Sequence, residues 1–92
     1  MKCLSLDDMV GEILVVNSKA GYISFSNLND GEYIRLPNGT PLTIYGWRPQ
    51  GRSVVVNLLD LSRHRKIFDI YHDQDFAARW IEFNTKVQRG MQ

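Results

Sequence analysis

Ile67-Phe68-Asp69-Ile70-Tyr71-His72-Asp73-Gln74-Asp75-Phe76-Ala77-Ala78-Arg79-Trp80-Ile81 decides the fold, because its periodicity changes part-way through. From Lys66 to His72 the side chains alternate, with Phe68 and Ile70 set against Ile67 and Tyr71. Period two is the signature of a strand. Beyond Asp73 the spacing becomes helical: Phe76, Trp80, Phe83 and Val87 fall on one stripe. Asp73 or Asp75 can cap the start and complement the helix dipole. Asp75 with Arg79, and Glu82 with Lys86, are favourable pairs four residues apart. Lys86 and Arg89 suit the C-terminal end and Gly90 the stop. A stripe this large must pack on something, and a sheet is the expected partner.

Working back from that run, short apolar segments alternate with turn signals. Asn29-Asp30-Gly31, Pro37-Asn38-Gly39 and Pro49-Gln50-Gly51 are hairpin positions, since glycine permits positive φ and proline and asparagine favour reversals. Between them lie candidate strands. Glu12 to Asn17 carries the continuous run Ile13-Leu14-Val15-Val16 and reads as buried on both faces. Gly21 to Asn27 sets Ile23 and Phe25 together, and Glu32 to Leu36 does the same with Ile34 and Leu36. Pro41 to Trp47 places Leu42 and Ile44 on one face, and Thr43, Tyr45 and Trp47 on the other. Ser53 to Leu59 is rich in valine. Ser5-Leu6-Asp7-Asp8 can cap one short helical turn. The spacing predicts an antiparallel meander. The expected fold is mainly β, a β-rich α+β domain: a small antiparallel barrel or curled sheet of about six strands closed by one C-terminal amphipathic helix.

Composition sets the limits. The 92 residues fit a single domain over 1–92, and a chain this size buries about 60–65% of its unfolded surface, which leaves little room for a deep enclosed site. A content of 43% hydrophobic and 23% charged residues is that of a globular protein. Eleven basic and ten acidic residues leave a net charge of +1, unlike a strongly basic nucleic-acid binder or an acidic DNA mimic. The lone Cys3 cannot form an internal disulfide. No apolar run approaches the roughly 20 residues of a membrane span, and the N-terminus lacks a signal-peptide apolar block. The expectation is a cytoplasmic protein with no membrane partner.

Two partial resemblances follow from particular residues. The Ile67–Ile81 run resembles the end of a pleckstrin-homology domain, a family that closes its curled sheet with a strand, a short acidic turn and a helix carrying a core tryptophan. The resemblance implies that Trp80 is that core residue. The family's basic headgroup motif has no counterpart near the first hairpin, where Lys19 stands alone. Asn17-Ser18-Lys19-Ala20-Gly21-Tyr22 is more faintly similar to a turn of the cold-shock domain, a small OB-type barrel that binds single strands. Ala20 stands where that family has a basic residue, and its aromatic platform is reduced to Tyr22 and Phe25.

Catalytic signals are sparse. Cys3 has no base beside it in sequence, Ser5, Ser53 and Ser62 sit in no G-x-S-x-G turn, and the glycines occur singly rather than in a phosphate-cradling loop. His72, Asp73 and Asp75 cluster with His64 nearby, but aspartate at a helix start is a cap before it is a ligand, and no spaced Cys/His framework exists. No cofactor or metal is expected, and no enzyme. The informative feature is basic. Arg48 and Arg52 flank a hairpin tip beside Trp47, and Arg63, His64, Arg65 and Lys66 form a second basic run between two strands. Brought together, these seven residues would make a cationic surface with an exposed aromatic. Such a surface suits an acidic protein face, where Trp, Tyr and Arg serve as anchors, or a phosphate backbone with a stacked base. The plainer alternative is a solvated loop that protects a sheet edge.

The expected function is therefore a non-enzymatic binding module, a regulator or inhibitor that recognises an as yet undefined protein partner. Small accessory proteins of bacteria and their phages supply the analogy. Single- or double-stranded nucleic acid is the alternative ligand. Most acidic residues lie apart in sequence from the basic patch, Asp60 alone coming close, so a head-to-tail or two-fold self-association, a homodimer, is a further expectation.

Overall fold

The computed structural model describes residues 5–26 and 31–88. In chain order its elements are α1 (Leu6–Met9), β1 (Ile13–Val16), β2 (Tyr22–Ser26), β3 (Tyr33–Pro37), β4 (Pro41–Gln50), β5 (Ser53–Asp60), β6 (Arg65–Tyr71), α2 (Gln74–Asn84) and β7 (Thr85–Val87). All six expected strands form, and one that was not expected follows the helix directly. The fold is mainly β, yet it is not a closed barrel. Five antiparallel strands make one sheet in the order β6-β5-β4-β1-β7, and β2 and β3 make a separate hairpin.

The meander holds only for β4-β5-β6. β1 passes over the β2–β3 hairpin and pairs with β4, with Leu14 opposite Leu42. The excursion is pinned at its base. Asn38 accepts the Ser18 N–H through Oδ1 at 2.9 Å and donates Nδ2–H to the Ser18 carbonyl at 3.1 Å. The turn predicted at Asn29-Asp30-Gly31 lies largely outside the described residues, as do Cys3, Arg89 and Gly90.

The core occupies one side of the five-stranded sheet. Leu14, Val16, Leu42, Ile44, Val56, Leu58 and Ile67 point there and meet Leu6 and Met9 of α1, Ile23, Phe25, Ile34 and Leu36 of the hairpin, and Ala77, Ala78 and Ile81 of α2. The β1 run does not bury both faces. Leu14 and Val16 are buried, whereas Ile13 is 43% exposed, because nothing described covers its side of the sheet.

Helix α2 corrects the predicted stripe. Asp73 caps it, accepting the Phe76 N–H at 2.7 Å. The helix turns Ala77, Ala78 and Ile81 inward, while Phe83 is 73% exposed and Phe76 42%. Trp80 is half-buried beside the core, edge-on to Phe25 with ring centroids 5.8 Å apart and 5.7 Å from Tyr71. Small side chains let the helix axis approach the sheet, and the larger rings are displaced to its flank and back. The helix stops at Asn84, before the expected glycine. Thr85 is extended, so Lys86 and Val87 belong to β7, and the Glu82–Lys86 helical pair does not form.

Candidate functional site

The seven basic and aromatic candidates divide by topology. β4 and β5 are joined by the two-residue loop Gly51-Arg52, since Gln50 faces Ser53. Gly51 takes φ 62°, the first-position glycine conformation of a tight hairpin turn. β5 and β6 are joined by Leu61–His64, since Asp60 faces Arg65. These loops lie at opposite ends of β5, an eight-residue strand. At about 3.3 Å per residue they stand roughly 25 Å apart. The structure therefore does not gather Arg48 and Arg52 with Arg63, His64 and Lys66 into one patch.

Two candidates are engaged internally. Trp47 is carried to the core side by a β-bulge: the β4–β5 register shifts between Ile44 and Gly46, so Tyr45 is an extra residue and Trp47 falls opposite the buried Val56. Trp47 packs half-buried against the core, and its Nε1–H donates to Asp7 Oδ1 of α1 at 2.9 Å. It is not the exposed aromatic the sequence suggested. Arg65 lies 3.6 Å from the buried carboxylate of Asp60, which also accepts the Ser62 N–H at 2.9 Å. Its charge balances an interior acid. Arg48 reaches Gln50 Oε1 at 3.4 Å, at the limit of hydrogen bonding. Arg52, Arg63 and His64 are exposed loop residues.

Arg48 and Lys66 share a surface the sequence reading missed: the side of the five-stranded sheet turned away from the core. The registers order it into cross-strand rows. Lys86, Val15 and Pro41 form one, and Ile13, Thr43, Leu59 and Lys66 the next. Gly46, Asn57 and Phe68 form a third beside Tyr45, and Arg48, Val55 and Ile70 a fourth. Tyr45 and Ile13 are each 43% exposed and Ile70 39%. Val55 is fully buried between Arg48 and Ile70, although it stands outside the core cluster. Both helices and the hairpin pack on the other side. Among the described residues, no element lies over this face.

Its charge is one-sided. Arg48, Lys66 and Lys86 are the charged residues at outward strand positions, and no acid occupies one among the described residues. The strand acids Asp60 and Asp69 point to the core side. At the centre, Asn57 Oδ1 is buried and accepts no hydrogen bond. A buried acceptor without a donor is costly, and a donor brought by another molecule would relieve that cost.

Several other polar groups tie the elements together. Burial lifts the Asp69 carboxyl above its ordinary value. The nearby Tyr71 hydroxyl and the N–H groups of Ser26 and Ile70 oppose that lift. The Ser26 contact, at 3.2 Å, ties β2 to β6. Burial and the Asp69 charge push the Tyr71 phenol well above its usual value. His72 pairs with Asp73 at 3.1 Å and lies 4.6 Å from the Phe76 ring, at the exposed start of α2. Ser5 is a cap: its hydroxyl accepts the Asp8 N–H, and Asp8 accepts the Ser5 N–H, each at 3.2 Å. Among the described residues, no group of three or more His, Cys, Asp or Glu side chains gathers to hold a metal. No described helix is long and apolar enough to cross a membrane.

Comparison of the chain with protein-family models, with curated proteins and with solved structures finds no match.

Proposed function

We propose that this chain is a non-enzymatic protein-recognition module that acts by covering a partner's surface, as a regulator or inhibitor does. The outer face of the five-stranded sheet, over which no described element lies, is the recognition surface. The observation that carries the reading is the set of apolar side chains Ile13, Tyr45, Leu59 and Ile70 on a side over which no described element lies, while the opposite side is packed. A sheet is stable with one wet face when that face alternates to polar residues. Here about half of the outward positions are aliphatic or aromatic, Ile13, Tyr45, Leu59, Phe68 and Ile70 among them, and exposed apolar surface of this kind marks interaction sites. Arg48 and Lys66, two of the residues singled out from the sequence, stand at its margins.

Nucleic acid is the less favoured ligand. The basic loops are separated by the length of β5, and the outward cations form no stripe that would follow a phosphate backbone.

The test is site-specific photocrosslinking in extracts of the native host. A photoreactive residue at position 70 or 45 is expected to give discrete protein adducts that Ile13→Glu removes without unfolding the chain. The same probe at Arg79, on the back of α2, is expected to give none. Equal adducts from both surfaces, or mobility shifts with single- or double-stranded nucleic acid at low salt, would overturn the reading.

A further inference from the structure

We infer that the partner presents an acidic amphipathic helix to the outer face of the sheet; this rests on the recognition reading given above and specifies the chemistry of what binds.

Three features define the occupant. First, the face carries exposed apolar side chains, Ile13, Tyr45 and Ile70, around the buried Asn57 side-chain carbonyl, and cations at three separated positions. Lys66 lies on the β6 edge and Lys86 on the β7 edge, both near the Leu61–His64 end, and Arg48 lies near the hairpin tip. The complement is an apolar stripe bordered by carboxylates. Second, the dimensions suit a helix. Five strands spaced about 4.8 Å apart span roughly 19 Å, the length of about 13 helical residues. One stripe of a helix laid on one face of a sheet is the standard way both bury apolar surface. Third, a second copy of the chain is a poor occupant. Face to face, each protomer would set Arg48, Lys66 and Lys86 against the same three cations, and none of the described acids lies at an outward strand position to offset them. The chain as a whole is nearly neutral, so this asymmetry belongs to the surface and not to composition.

The experiment titrates the isotope-labelled full chain with two synthetic amphipathic peptides that share a leucine face, one with a glutamate polar face and one with lysine. At low salt the glutamate peptide is expected to shift the amides of Ile13, Val55 and Ile70 and to bind at least tenfold more tightly. Salt should shrink that ratio. The triple change Arg48→Glu, Lys66→Glu and Lys86→Glu should reverse it. If the triple variant loses spectral dispersion, Lys66→Glu with Lys86→Glu should still abolish the preference. Equal affinity of both peptides at this face would overturn the inference while leaving the recognition surface standing. Shifts confined to other surfaces would remove both. Concentration-dependent self-association mapping to the same amides would make the occupant a second copy and overturn the inference.

Discussion

Truncating α2 one side chain at a time separates the helix face that the sequence suggests from the one the fold uses. Phe83 is 73% exposed. Folding therefore removes about 50 Å² of its surface from water, worth roughly 1 kcal/mol at about 25 cal/mol per Å². Alanine's better helix propensity offsets about 0.5 kcal/mol of that, so Phe83→Ala should cost about 0.5 kcal/mol. Phe76 is 42% exposed and packs against His72 and Tyr71, which raises the expected cost of Phe76→Ala to about 2 kcal/mol. Ile81 is fully buried, and Ile81→Ala should cost about 3 kcal/mol in lost transfer energy and cavity. Trp80 is half-buried but edges two rings, so Trp80→Ala also falls near 3 kcal/mol. Urea denaturation reads each cost as a midpoint shift at constant slope. If Phe83→Ala were as damaging as Ile81→Ala, the aromatic stripe would be the buried one and the helix orientation described above would be wrong.

Three further outcomes are expected. Asp69 has a raised native pKa, so its contribution to stability is fully present below its ordinary value of 3.8 and is lost as pH rises through the raised native value. Asp69→Asn keeps the acceptor for Ser26 and Ile70, and melting curves across acidic to neutral pH should show a flatter profile and no loss at neutrality; a slope equal to wild type would refute this. His64 sits at φ 54°, so a β-branched residue there is strained: His64→Val should cost about 1–2 kcal/mol and His64→Gly less than about 0.5, by urea denaturation. Arg65→Ala leaves Asp60 without its counter-charge and should cost about 1.5 kcal/mol, against less than about 0.5 for the exposed Arg63→Ala; equal thermal shifts would mean the 3.6 Å pair is idle.

The strands were legible because alternation survives wherever one side is buried: Ile23 with Phe25, Ile34 with Leu36, and Leu42 with Ile44 all point inward as their spacing requires. The Ser5 and Asp73 caps were legible because side-chain capping is local chemistry. What failed depended on distant parts of the chain. The bulge at Tyr45 shifts Trp47 to the other side; Gly46 inside the strand was the local mark of it, which alternation alone does not use. The alanines of α2 win the core over its phenylalanines because the space above the sheet is already taken by the hairpin and α1. β7 is three residues long and starts where the helix ends, so no turn signal announces it. The separation of the two basic loops was readable in principle. Consecutive hairpins in a meander point to opposite ends, and an eight-residue β5 fixes the gap. The outer face was hidden by reading Ile13-Leu14-Val15-Val16 as doubly buried, whereas Ile13 and Val15 point to the side over which no described element lies.

The pairing of β7 with β1 joins two segments some seventy positions apart, Val16 against Thr85 and Leu14 against Val87. During synthesis, β1 is made early and keeps a bare hydrogen-bonding edge until Val87 has left the ribosome. Completion of the sheet is thus a late, long-range event, and late closure of this kind slows folding. A nascent chain halted before Thr85 would present that bare edge to any strand nearby, so prematurely terminated products are the species most prone to aggregate.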